Sequence, residues 1–111
     1  MLMPRDNHRL TYANEKFQQA VYQLAVGAGP VKERVHFAYL YVLRAWPFEG
    51  LSEELAERAL ALHDALTKVD AEGDEGKLAA TLSRMSDDDA AGVAREIYDL
   101  ASDIEYEHRG A

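Results

Sequence analysis

Apolar residues recur along this chain with the period of an α-helix. The pattern breaks at three stretches bearing glycine or proline: Gly27-Ala-Gly-Pro30, Trp46-Pro-Phe-Glu-Gly50 and Gly73-Asp-Glu-Gly76. In the first block Phe17, Ala20, Val21 and Leu24 stand at i, i+3, i+4 and i+7. That is one face of a helix, predicted to start near Thr11 to Asn14 and to end at Gly27. Pro30 suits the first turn of a second helix, where its missing N–H is not needed, and Pro47 drives Trp46 out of the helical region. The second helix is therefore expected over about residues 30–46.

Ser52 reads as the N-cap of a third helix, with Glu53 and Glu54 in a first turn whose exposed N–H groups favour negative charge. In that helix Leu55, Ala59, Leu62, Leu66 and Val69 follow the alternating four-three spacing of a helix-packing seam. The same spacing returns in a last helix as Ala90, Val93, Ile97, Leu100 and Ile104, opened by Ser86 with Asp89 three residues on as an acidic capping box. Between the two, Lys77 to Met85 forms a short helix with Leu78, Leu82 and Met85 on one side. No strand pattern occurs. The prediction is an all-α, four- to five-helix antiparallel bundle forming one domain over residues 1–111, with residues 1–10 and 106–111 expected to be flexible.

The second helix departs from this amphipathic rule. Val31, Val35, Ala38, Val42 and Ala45 form one stripe, while Phe37, Leu40, Tyr41 and Leu43 project from the other faces and leave few positions for water. A helix that is apolar all round is enclosed by its own domain or by a partner. Tyr and Trp are favoured at protein contacts because they bury a large area and keep a polar handle, so Phe37, Tyr41, Trp46 and Phe48 are the candidate interface residues. A twofold homodimer with Phe37 and Tyr41 near the contact is expected, since uncovered apolar patches rarely persist on monomers.

Charge sharpens this division of the chain. Residues 1–50 hold six bases against four acids, whereas residues 51–111 hold six bases against sixteen acids, so the net charge of −8 is the sum of +2 in the first half and −10 in the second. An acidic field of that size repels phosphate backbones and attracts basic partners, which argues against nucleic-acid binding. Eight of the ten aromatic residues fall in the first half, so the two halves differ in surface chemistry as well as charge. The absence of cysteine excludes disulfides, thiolate metal sites and cysteine nucleophiles. The first ten residues lack the apolar run of a signal peptide, and the longest uncharged apolar run, Phe37 to Leu43, is far short of the roughly 20 residues that span a bilayer. The expectation is a cytoplasmic protein without membrane contact.

Candidate chemistry is sparse. Two Glu-x-x-His sequences, Glu33 to His36 and Glu105 to His108, match the motif that di-iron carboxylate bundles use twice together with two further glutamates. At 3.6 residues per turn, however, Glu33 and His36 point more than about 90° from the apolar stripe of their helix, and Glu105 points away from the seam of the last helix. His63 has no helical ligand partner. Asp70, Glu72 and Asp74 occupy positions 1, 3 and 5 of a would-be calcium loop, but Glu75 and Thr81 stand where glycine and glutamate are required. An acidic connector fits that segment better. Asp87, Asp88 and Asp89 match what a helix start favours electrostatically.

No phosphate-cradling glycine loop or nucleophile elbow is present, and no cofactor is implied. The leading expectation is a small non-enzymatic protein-interaction module, an adaptor, regulator or immunity-like inhibitor, that works through its acidic second half and its aromatic second helix. Its partner is a protein, of basic character where it meets the acidic half. The alternative is a small metal-binding bundle or enzyme that uses Glu33, His36, Glu105 and His108.

Overall fold

The computed structural model describes residues 7–110. They form five helices: α1 (Asn7–Val26), α2 (Val31–Leu43), α3 (Glu53–Leu66), α4 (Gly73–Ser83) and α5 (Asp87–Arg109). No strand occurs among the described residues, and none of their helices is long and apolar enough to cross a membrane.

Cross-links between the ends of the helices give their directions. Thr11 at the start of α1 meets His108 at the end of α5 (3.0 Å), and further along Gln18 donates to the carbonyl of Ala101 (2.9 Å), so α1 and α5 are antiparallel. α3 is antiparallel to α5 as well. The backbone N–H of Ser52 donates to the Glu107 carboxylate at 3.2 Å, and Arg58 reaches Glu96 (3.6 Å) and Asp103 (2.7 Å). α2 folds back along α1 and also packs against α5 and α4. Leu10, Phe17, Tyr39, Leu66, Leu78 and Ile97 are among the large side chains buried where these helices meet, each contributing on the order of 1.5–3 kcal/mol through apolar burial.

Both serine caps act as expected. Ser52 Oγ accepts from the N–H of Leu55 (3.4 Å), and Ser86 Oγ accepts from the N–H of Asp89 (3.0 Å). The seams are buried at Leu55, Ala59, Leu62 and Leu66 on α3, and at Ala90, Ile97, Leu100 and Ile104 on α5. α1 starts earlier than its apolar periodicity suggests, because Leu10 and Ala13 continue the buried face toward the N-terminus. At its other end the Arg34 side chain donates to the carbonyls of Leu24 and Gly29, both at 3.1 Å, and so serves carbonyls left over beyond the helix's own hydrogen bonds.

α4 also starts earlier. Gly73 and Gly76 lie within it, and Asp74 and Glu75 form its acidic first turn, so the acidic connector is confined to the residues before Gly73. α2 is shorter than expected and gives way to turns after Leu43. The segments expected to be flexible lie partly outside the described residues; inside them, α1 already runs from Asn7 and α5 continues to Arg109.

The molecule measures 51 × 28 × 18 Å along its principal axes. At interaxial distances of about 8–10 Å, a thickness of 18 Å holds two layers of helices and no more. No helix in such a slab can be enclosed on every side, and α2 is no exception. Val35, Ala38, Tyr39 and Val42 face the core, while Phe37 faces outward.

Candidate protein interface

The predicted interface residues separate into two groups. Phe37 and Trp46 are 49% and 48% exposed, and Tyr41 is half-buried between them along the chain. Phe48 is a correction. At 2% exposure it sits in the core, its ring 6.2 Å from that of Phe17, and cannot touch a partner. The cause is local backbone geometry. Phe48 adopts φ +71, a left-handed conformation that turns its side chain inward. Gly50, two residues on, has φ +91, and a Cβ placed there would lie 2.6 Å from Arg9 Cβ and 2.7 Å from the Leu10 nitrogen. The segment joining α2 to α3 therefore lies flush against the first turn of α1, and Arg9 pairs with Glu49 across it at 3.1 Å.

Tyr12 on α1, 45% exposed, joins Phe37, Tyr41 and Trp46 as a further aromatic residue on the α1–α2 side of the slab. Two depressions mark this surface. One of about 170 Å³ is lined by Gln23, Phe37, Leu40, Tyr41 and Arg44; the other, of about 270 Å³, has Tyr12, Arg44 and Trp46 among its walls. Arg44 belongs to both. Its guanidinium lies 5.5 Å from the centre of the Tyr41 ring, and it forms no ion pair among the described residues. The Lys16 ammonium lies 5.2 Å from the Tyr12 ring centre. Lys16 itself is buried and pairs with Glu15 at 3.9 Å, so Arg44 supplies the positive charge beside these rings, which suits a partner segment carrying apolar and acidic side chains.

Trp46 is held from beneath by a histidine that the sequence offers only as a metal ligand without a helical partner. His63 of α3 is buried, and its ring lies 5.5 Å from that of Trp46, 6.3 Å from Tyr39 and 6.3 Å from Phe48. Its Nδ1 is 3.3 Å from the Tyr39 hydroxyl, and its Nε2 is 3.6 Å from an Asp74 carboxylate oxygen. The neutral tautomer protonated at Nε2 serves both neighbours, accepting from Tyr39 O–H at Nδ1 and directing Nε2–H at Asp74. One imidazole thereby ties together α2, α3, α4 and the segment carrying Trp46. Burial, followed by the negative charges of Asp74 and Asp64, pushes the Tyr39 phenol well above the usual tyrosine range and keeps it a neutral donor. Tyr39 is fully buried, so no substrate atom can reach its hydroxyl, and the Tyr39–His63–Asp74 chain acts as a structural tie. The signal in the sequence was faint: His63 follows Leu62, stands four residues after Ala59 and three before Leu66, at the edge of the α3 seam.

The four residues of the metal alternative are not brought together. His36 packs edge-on against Phe37 on α2, with ring centres 5.7 Å apart, and Glu33 is exposed one turn before it. Glu105 pairs with Arg109 at 3.3 Å, and His108 meets Thr11. No group of three or more histidine and acidic side chains among the described residues is placed to hold a metal ion. Asp74 of the would-be calcium loop faces His63, and Asp87 to Asp89 form the solvent-facing first turn of α5. Comparisons of the chain with protein-family models, with curated proteins and with solved structures find no match.

Proposed function

We propose that the protein is a non-enzymatic interaction module that engages a protein partner through the aromatic surface of α1 and α2, with Phe37 and Trp46 as its anchors. One observation carries this reading: two large aromatic side chains stay half-exposed beside an arginine that has no ion pair among the described residues, although the core behind them is already closed. Such side chains dominate binding energy when they enter a partner's pocket, and the His63 ring, 5.5 Å from that of Trp46, supports it from one side. The acidic surface of α3 to α5 supplies a long-range field that draws in partners bearing basic patches elsewhere and orients their approach.

Affinity capture from cells that make the protein tests this reading, comparing wild type with a Phe37→Ala/Trp46→Ala variant whose melting temperature has been checked. A partner retained by wild type and lost by the variant supports the proposal. A partner held equally by both, or none held by wild type, overturns it.

A further inference from the structure

A broad depression lies away from the aromatic set, between the C-terminal half of α1 and the N-terminal half of α5. It encloses about 590 Å³ and is lined by Val21, Leu24 and Ala25 of α1 and by Ala91, Ala94 and Tyr98 of α5, with Arg34 of α2 and Arg95 and Asp99 of α5 as charged residues at its wall. Tyr98 at its wall is 58% exposed, more than Phe37 or Trp46. Two details of α5 indicate what covers it.

Arg95 and Asp99 are exposed, stand one turn apart and carry opposite charges, yet neither takes part in an ion pair among the described residues. Other charges on the same helix are paired, Glu96 and Asp103 with Arg58 and Glu105 with Arg109. The second detail is Gly92, an exposed glycine in the interior of α5. A Cβ added there would meet nothing within 4 Å, so no contact within one molecule calls for glycine, which weakens a helix relative to alanine.

We infer that the patch of α5 around Arg95 and Asp99 is self-complementary and that a second copy of this chain docks on it antiparallel, with the twofold axis level with residue 97. Residues 95 and 99 are equidistant from that level, so each Arg95 stands opposite the partner's Asp99, and two ion pairs flank the axis. By the same symmetry Gly92 stands opposite the partner's Ser102, and this small pair lets the helices approach closely. Tyr98, one residue from the axis, brings its ring to the partner's apolar groove. A twofold contact requires one patch to complement itself, and an Arg–Asp pair one helical turn apart does so only in the antiparallel arrangement. This dimer leaves Phe37 and Trp46 outside its contact and does not depend on the function proposed for them.

Sedimentation equilibrium of the full chain at micromolar concentration and about 0.15 M salt is the test, with ion pairs at the surface still felt at that ionic strength. Wild type is expected at twice the monomer mass of 12.4 kDa. Arg95→Asp and Asp99→Arg each place like charges opposite one another and should weaken the dimer on the order of tenfold or more. The double variant restores opposite charges and should restore the dimer. Both substitutions are on exposed positions, and circular dichroism verifies that each of the three variants is folded. A wild-type mass of 12.4 kDa, single variants that dimerise like wild type, or a double variant no better than the singles would overturn the inference. So would a dimer that is dissociated by Phe37→Ala/Tyr41→Ala and is indifferent to residues 95 and 99.

Discussion

α5 and α2 make opposite use of the same packing rule. On α5 the buried residues Ala90, Ile97, Leu100 and Ile104 follow a narrow seam, and most of the remaining surface is charged or polar, so the sequence itself states which side faces inward. On α2 apolar residues occupy nearly the whole circumference, and the pattern alone does not say which side is covered. Packing decides it. The two-layer slab covers Val35, Ala38, Tyr39 and Val42 and leaves Phe37 outside. Hydrophobicity on α2 therefore serves two ends, holding the core on one flank and presenting a contact surface on the other.

The sharpest way to break this comparison is to place a carboxylate on each side of it. Ile97→Asp or Leu62→Asp buries an unpaired charge and should cost several kcal/mol, enough to abolish a cooperative melting transition. Phe37→Asp should leave the transition within about 0.5 kcal/mol of wild type, the usual range for surface changes. Comparable losses at positions 37 and 97 would show that α2 is enclosed.

A smaller effect tests the segment that carries Trp46. Gly50→Ala meets both the left-handed backbone and the first turn of α1, and should cost roughly 2–3 kcal/mol in urea unfolding. Tyr39→Phe probes the tie beneath it. The lost hydroxyl leaves His63 Nδ1 without its donor, at a cost of about 1–2 kcal/mol near neutral pH.

The Tyr39 effect carries a pH signature. Because the phenol's pKa is raised in the folded state, the unfolded chain ionises first as pH rises past about 10, and the stabilisation that Tyr39 gives below that pH is lost as pH rises further. The stability gap between wild type and Tyr39→Phe should therefore be full at pH 8 and narrow above pH 10 or so. A gap independent of pH would contradict the burial of an ionisable phenol at this point. The smallest effect expected is at a cap: Ser86→Ala should cost about 1 kcal/mol, read from the same unfolding curves.

Where backbone chemistry is local, the sequence was a good guide. Ser52 and Ser86 cap the helices they precede, and the seams of α3 and α5 are buried as spaced except at Val69, which lies beyond the end of α3, and at Val93, both half-buried, because capping and helical periodicity depend on residues within two turns of each other. The start of α4 was hidden because Gly73 and Gly76 read as punctuation, although both lie inside the helix. Phe48 was misjudged for a related reason: it sits in a turn, where no period links sequence position to burial, and only φ +71 shows which way its ring points. His63 was missed because its partners, Tyr39, Trp46 and Asp74, lie between 11 and 24 residues away on other elements. The exposed aromatic pair was half legible: α2 announced an excess of apolar surface, but which part of it stays uncovered depends on the thickness of the whole fold.

Hydroxyl-radical footprinting of the native protein tests the two-flanked character of α2 most directly, since Phe37 and Tyr39 are neighbours on one helix and report opposite sides of it. In a dilute, partner-free sample, Phe37 should be oxidised at a rate comparable with the exposed Tyr22 and Tyr98 after correction for intrinsic reactivity, while Tyr39 stays protected. Protection of Phe37 equal to that of Tyr39 would contradict the account and return the whole of α2 to the core.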